Sequence, residues 1–297
     1  MIARVTHGML FDRLTQQVRE LQSRIGSAQE RVATQKDLVQ ASDDPSAAAR
    51  SSRLRSEGAD LRTLEDTVGL GLTMLSAQDA ALAQADSILV RAREIATQHS
   101  NSIHDPDARL QAAREIEELE RGLLTVANTA VGGRHVFAGL ATGEPPFAQF
   151  DDPAFNPANA YSGPVDPFEL RSGPDDARTR ITTPGNEVFT SALVALDELR
   201  LTLAAGETPT DHIDTLAAAS ADLSAERSSV GGRARRLEAR ASEILDGLQH
   251  NAGEIGRTED ADPVAAIVEL QRLTTALQAA LQSGRVLQES LLDHLRF

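Results

Sequence analysis

Aliphatic side chains recur every seven positions in two long stretches of the chain. The first repeat consists of Leu54, Leu61, Val68, Leu75, Leu82 and Leu89, and the second of Leu216, Leu223, Val230, Leu237 and Ile244. A sustained period of seven is typical of long helices that wind around other helices in a left-handed supercoil. We therefore predict two long helices whose repeats form mainly an intramolecular core. The companion positions of the first repeat are mixed: Gly71, Ala85 and Ala92 are small and would let neighbouring helices approach closely, whereas Gln78 is polar.

A shorter helix is predicted between the two repeats. Its apolar stripe consists of Ile116, Leu119, Leu123, Val126 and Ala130. Asp105 is the expected N-cap and Pro106 opens the first turn, because an acid accepts free backbone N–H groups and proline needs no donor there.

Both ends of the chain carry apolar stripes with alternating spacings of three and four, within residues 14–32 and 270–291. Such spacing predicts amphipathic helices. Each terminal helix is separated from a long helix by an Asp-Pro step that can end one helix and open the next. The residues of this helix-boundary motif are Ser42, Asp43, Asp44, Pro45, Asp262 and Pro263. We expect the two terminal helices to pair in antiparallel orientation.

A lone pair of helices buries little apolar surface, so we expect the terminal pair to be loose in the monomer and to become ordered on assembly. Strong amide protection of residues 5–35 and 265–295 in the monomer would contradict this expectation. The predicted subunit contacts are Leu14, Val18, Leu21, Ile25, Leu273, Leu277, Leu287 and Leu291.

Prolines and aromatic residues concentrate in one central region, residues 133–188. Because proline removes helical hydrogen bonds, this region is predicted to be a small insert of turns and short strands. ELRSG (169–173) and RTRITTP (178–184) are the best strand candidates. The predicted fold is mainly α, an elongated antiparallel helical rod or coiled coil with a small β-rich insert at its distal end. Three domains are predicted: 1–43 with 259–297, 44–132 with 189–258, and 133–188.

Composition excludes several classes of protein. The 297 residues include no cysteine, which excludes a disulfide scaffold, a thiolate metal site and a cysteine nucleophile. The net charge of −15 argues against a nucleic-acid partner. No stretch approaches the roughly 18 to 20 apolar residues of a membrane-spanning helix, and we expect neither a membrane partner nor a cleaved signal peptide.

No motif indicates catalysis, a metal or a cofactor. Asp43 and Asp44 fit helix capping better than acid–base chemistry. His99 and His104 are five positions apart, rather than the four that place two ligands on one helix face. Gly132–Arg134 matches no phosphate-binding motif and predicts a turn.

A basic run on the second long helix consists of Arg233, Arg235, Arg236 and Arg240. Acidic neighbours such as Glu226 make ion pairs within or between subunits the better interpretation. The adjacent Gly231 and Gly232 lower helix propensity, and we expect either close packing or a permitted bend there.

Four segments together resemble the flagellin-like superfamily. QERVATQKDLVQASDDPSAAARSSRL (29–54) resembles its N-terminal signature, although Gln35-Lys36 replaces the usual Gly-Lys. Three further segments are similar, in matching order, to the hook-associated protein 3 group, the hook–filament junction proteins called FlgL. They are ANTAVGGRHVFAGLATGEPPF (127–147), RSSVGGRARRLE (227–238) and EDADPVAAIVELQRLTTALQAALQSGRVLQESLLDHL (259–295).

This resemblance implies a structural protein of the bacterial flagellum that joins the hook to the filament. It implies a ring of about eleven copies between hook-associated protein 1 (FlgK) and flagellin. It also implies export through the flagellar type III channel without a cleaved signal peptide, with a FlgN-like chaperone covering Leu287, Leu291, Leu292 and Leu295. The alternatives are a divergent filament flagellin, whose usual Ile-Asn-Thr-Asn start is absent here, and a secreted coiled-coil effector or adhesin.

Overall fold

Helices dominate the computed structural model, which describes residues 2–100, 106–151, 155–173 and 176–295, with backbone only at 2–8, 10, 106 and 287–295. The helices are α1 (Ile2–Thr34), α2 (Pro45–His99), α3 (Pro106–Ala127), α4 (Thr190–Ala204), α5 (His212–Glu259) and α6 (Pro263–Leu295). The strands are β1 (Ala130–Val131), β2 (Arg134–His135), β3 (Glu169–Arg171) and β4 (Arg178–Arg180). The predicted mainly α class is confirmed.

The described chain forms two compact units. One comprises Met1–Ala59 and Leu248–Phe297, and the other comprises Asp60–Gly247. The first unit contains α1, α6, the start of α2 and the end of α5. The second contains the remainder of α2 and α5 together with α3, α4 and all four strands. The three domain boundaries derived from the sequence stay a prediction.

The seven-residue repeats form the core of the unit Asp60–Gly247. From Val68 to Leu89 on α2 and from Leu216 to Ile244 on α5, every repeat residue is buried. The predicted intramolecular role of the repeats is therefore confirmed for this unit. Gly71 permits close approach, because a Cβ there would lie 3.0 Å from Leu237 Cδ1.

Helix α3 packs against α4 in the same unit, and a carboxyl group is buried between them. The side chain of Glu120 is completely buried, and neither carboxylate oxygen accepts a hydrogen bond. Its nearest cation is Arg200, whose Nε lies 3.5 Å from Oε2 and which also pairs with Asp197. Burial and the charge of Asp197 raise the pKa of Glu120 to about 7, and Arg200 offsets only part of this rise.

Strands form in the insert where the sequence predicts them, but they are short. β3 and β4 lie within ELRSG and RTRITTP and pair antiparallel, with Leu170 opposite Thr179. β1 and β2 are joined by Gly132 and Gly133, both at positive φ, so the turn predicted at Gly132–Arg134 is confirmed. The described part of the insert consists mostly of turns, because its many prolines lack the N–H that a strand ladder requires.

Aromatic packing and one glutamine hold the insert to the helices of its own unit. The rings of Phe137 and Phe189 meet edge to face with centroids 4.7 Å apart, and Phe147 packs against Phe189 at 6.0 Å. Gln78 of α2 is fully buried and donates from Nε2 to the carbonyls of Val136 at 3.0 Å and Ile181 at 2.6 Å. Gln78, the polar residue at a companion position of the first repeat, therefore attaches the insert to α2.

Two arginines of the basic run of α5, Arg233 and Arg240, form ion pairs within the chain. Arg233 is buried, pairs with Glu226 and donates to Thr183 Oγ1 at 3.0 Å, and Thr183 in turn donates to Glu226. The nearby Gly231 and Gly232 are not closely packed. A Cβ at Gly231 would meet only Arg235 of the same helix, at 3.7 Å, and one at Gly232 would meet nothing within 4 Å. Of the two alternatives for this glycine pair, close packing is not found within the described chain, and a permitted bend stays a prediction.

Candidate assembly interface

The paired helices α1 and α6 share an internal apolar seam. On α1 the predicted contact residues Leu14, Val18, Leu21 and Ile25 are half-buried. On α6 Leu273 is buried and Leu277 is half-buried. Gly284 accommodates Leu14, because a Cβ there would lie 2.8 Å from Leu14 Cδ2. The two helices therefore cover one another's stripes only in part, and their role in subunit contact stays a prediction.

Four residues predicted at the C-terminal end lie outside the described side chains. They are Leu287, Leu291, Leu292 and Leu295, at which only the backbone of α6 is described. Their proposed contacts with a subunit or a chaperone stay predictions.

A second apolar surface, which we call the outer apolar face, is exposed on α6. It consists of Val264, Ile267, Val268 and Val286, each at least 45% exposed and all within about 100° of one another around the helix. Val264 is nine residues before the buried Leu273, which places them about 180° apart around α6. Exposed clusters of large apolar residues mark interaction surfaces. This face was not predicted, because only one apolar stripe was assigned to each terminal helix. The adjacent residues Ile267 and Val268 cannot both belong to one narrow stripe, and they were the available signal in the sequence.

The Asp-Pro steps form side-chain caps. Asp44 Oδ1 accepts from the backbone N–H groups of Ser46 at 2.8 Å and Ala47 at 2.9 Å, and Pro45 is the first residue of α2. The hydrogen bond from Ala47 and those from Ser46 lower the pKa of Asp44. At the second step Asp262 Oδ1 accepts from Val264 N–H at 2.9 Å, and Pro263 is the first residue of α6.

The other residues of the first boundary form the turn before α2. Asp43 Oδ2 accepts from the N–H of Gln40 at 2.8 Å, and the N–H of Asp43 donates to the carbonyl of Gln40. Ser42 is exposed in this turn. Asp43 and Asp44 therefore bond to different backbone groups and do not act as a carboxylate pair.

The segment after α1 is bound to the end of α5 by backbone contacts. The N–H of Asp37 donates to the carbonyl of Glu259 at 2.8 Å, and the N–H of Ala261 donates to the carbonyl of Gln35 at 3.0 Å. Gln35 ends α1 in the left-handed region, with φ of 56°. Glycine adopts that conformation without strain, whereas a residue with a side chain, such as Gln35, does so at a cost.

The side chain of Glu259 is the centre of a polar cluster at the same place. Oε2 accepts from Lys36 Nζ at 2.7 Å, and Oε1 accepts from Arg55 at 2.6 Å and from Ser51 Oγ. The Glu259 side chain is only 3% exposed, whereas Lys36 and Arg55 reach solvent. Burial alone would raise the pKa of Glu259, but the hydrogen bonds from Lys36 and Ser51 and the nearby positive charges lower it to about 2. We call this group the Glu259 cluster; it was not predicted from the sequence.

The remaining candidates from the sequence concern a metal site and a membrane-spanning helix. Among the residues that the structure describes, no three His, Cys, Asp or Glu side chains are grouped so as to hold a metal. His99 is buried at the end of α2, and His104 and Asp105 lie outside the described residues. In the described part of the chain no helix combines the length and apolarity needed to cross a bilayer.

The chain is similar in sequence to several known flagellar proteins. Residues 5–142 match the family described as bacterial flagellin N-terminal helical region. The flagellar filament 30.7 kDa core protein of Treponema maltophilum is 24% identical over 272 residues, covering 90% of each chain. Flagellar hook-associated protein 3 of Escherichia coli is 31% identical over 121 residues, which cover 40% of this chain and 38% of that protein.

The fold also matches a solved structure. The crystal structure of Bacillus cereus FlgL superposes with a TM-score of 0.59 and 14% identity, covering 69% of this chain and 99% of that one. At this identity the likeness establishes the fold alone.

Proposed function

We propose that this chain, whose residues 5–142 match the bacterial flagellin N-terminal helical region, is a structural protein of the flagellin-like superfamily and joins the flagellar hook to the filament. The observation that carries the proposal is the α1–α6 pair, whose seam is half-covered and whose outer apolar face is exposed. An isolated monomer gains nothing from such a face, whereas neighbouring subunits would bury it. The order of the segments resembling the hook-associated protein 3 group favours the junction over other positions in the flagellum.

The proposed assembly is a ring of about eleven copies between hook-associated protein 1 (FlgK) and flagellin. In this assembly the outer apolar face and the terminal seam together contact neighbouring subunits. The proposed role is purely structural, with no enzymatic activity, cofactor or metal, and it places the protein outside the cell at the hook–filament junction.

Export would use the flagellar type III channel without a cleaved signal peptide. Before export a FlgN-like chaperone is proposed to cover the C-terminal stripe, Leu287, Leu291, Leu292 and Leu295. Removal of residues 285–297 should abolish binding to this chaperone. An unchanged affinity of the truncated chain would refute the assignment.

Gene deletion with electron microscopy and a flagellin blot of the medium tests the proposed position. Loss of a junction protein leaves hooks without filaments and sheds flagellin into the medium. A filament flagellin, the alternative favoured by similarity to the Treponema core protein along most of the chain, would leave bare hooks and no shed flagellin. Normal motility would instead indicate the effector or adhesin.

Substitutions on the outer apolar face test the proposed interface. Val264→Asn with Val268→Asn should prevent the purified chain from joining the ring while α1 and α6 remain paired, because both residues are exposed and face away from the seam. Leu201→Asn is the matched control, since Leu201 is 53% exposed on α4. Equal complementation of motility by the double variant and the control would refute the assignment of this face.

A further inference from the structure

We propose that Glu259 is the positioning residue that fixes the direction in which the α1–α6 pair leaves α2 and α5, and so presents the assembly surface to neighbouring subunits. The inference rests on the proposed function for its biological meaning, but its structural part can be tested on the purified monomer.

The boundary between these helices is held by few backbone contacts. α1 ends at Thr34 and α6 begins at Pro263, so residues 35–44 and 260–262 connect the terminal pair to the long helices. The backbone contacts across these segments are a single isolated bridge, Lys36 with Asp260, and its flanking hydrogen bonds. Such short ladders open readily unless side chains hold them.

Glu259 joins the three segments that meet at this boundary. Lys36 belongs to the connection after α1, Ser51 and Arg55 belong to α2, and Glu259 is the last residue of α5. One carboxylate therefore fixes the connection with Oε2 and α2 with Oε1. The peptide carbonyl of the same residue accepts from Asp37 and Leu38, so its main chain and side chain hold the same joint.

The carboxylate of Glu259 is buried, whereas its cationic partners reach solvent. With 3% of its side chain exposed, Glu259 cannot exchange these donors for water without opening the joint. Lys36 and Arg55 are 42% and 61% exposed and can be hydrated freely. Loss of the buried charge therefore affects the joint far more than loss of an exposed ion pair.

Hydrogen exchange of the purified monomer at pH 7 tests the structural part. Glu259→Gln keeps the size of the side chain but removes its charge, and should speed exchange at the amides of Asp37 and Ala261 by about tenfold or more. Glu254→Gln is the matched control, because Glu254 lies on the same helix and its ion-pair partner among the described residues is Arg257 of that helix. Equal exchange in the two variants would overturn the proposal.

The single lysine of the chain supplies a second readout. Labelling with an amine-reactive ester, mapped to the Lys36 peptide, should be faster in Glu259→Gln than in Glu254→Gln, because the amine loses its buried partner. Lys36→Met is the second variant in case Glu259→Gln does not fold, since it leaves the contacts of Ser51 and Arg55 in place. It should speed exchange at Asp37, and unchanged protection would count against the proposal.

Complementation of the deletion strain tests the positioning role. Glu259→Gln should be secreted at the normal level yet restore few filaments, while Glu254→Gln restores motility. Full restoration by a variant whose joint exchanges rapidly would overturn the positioning role. If the unaltered chain itself fails to complement the deletion strain, the proposed junction function is refuted. The measurements on the monomer still decide whether Glu259 holds the joint.

Discussion

The buried carboxyl of Glu120 makes the α3–α4 contact depend on pH near neutrality. Its folded-state pKa of about 7 lies above the ordinary 4.5, so the folded chain holds this proton more tightly than the unfolded chain does. A raised carboxyl pKa stabilises the protonated fold, and that advantage is fully present below pH 4.5 and lost as the pH rises through 7. The free energy involved is about 3 kcal/mol at pH 8.

Glu120→Gln removes this titration while keeping the size of the side chain. At pH 8 the variant should be more stable than the unaltered chain by about 3 kcal/mol, and at pH 4 the two should be nearly equal. Urea unfolding with pulsed hydrogen exchange, read on peptides of α3 and α4, measures the difference in their own unit. Glu118→Gln is the control, because Glu118 is exposed on the same helix.

An equal difference in stability between Glu120→Gln and the unaltered chain at pH 4 and pH 8 would refute the raised pKa of Glu120. A variant less stable than the unaltered chain at pH 8 would also refute it, because the contact with Arg200 would then exceed the cost of burial.

Three further predictions concern the core and the joint. Glu259 has the opposite shift, with a pKa of about 2, so its stabilisation is present above pH 4.5 and lost as the pH falls through 2; acid titration followed by exchange at Asp37 and Ala261 should show a loss of about 3 kcal/mol that Glu259→Gln lacks. Leu82→Ala should cost about 2 to 5 kcal/mol in urea unfolding, against less than about 0.5 kcal/mol for Leu245→Ala, because Leu82 is fully buried and Leu245 is 47% exposed. Gln35→Gly should slow exchange at Ala261 by relieving the left-handed backbone, a gain of about 1 kcal/mol, and faster exchange would contradict the assignment of strain.

The helices and strands could be predicted because their signals are local. A period of seven places residues such as Leu75 and Leu223 on buried faces whatever their partners are. Proline density marks the insert, and β-favouring runs mark β3 and β4. The Asp-Pro steps carry both the acceptor and the residue that needs no donor, so the starts of α2 and α6 follow from two residues each.

The polar groups that matter most could not be predicted because their partners are distant in sequence. Glu259 bonds to Lys36 across 223 positions, and nothing beside either residue distinguishes it from an exposed charge. Glu120 likewise resembles its exposed neighbours until α4 covers it. The outer apolar face was missed for a different reason: a helix that contacts two partners carries two stripes, and a search for the strongest periodicity finds one.

One labelling measurement tests the junction assignment most directly. The chain has no cysteine, so Val165→Cys in the insert, at a position 62% exposed, offers a unique thiol for gold-maleimide labelling. Electron microscopy of flagella from a complemented deletion strain should show a single band of gold where the hook meets the filament. Gold distributed along the whole filament, or absent from the flagellum, would contradict the account.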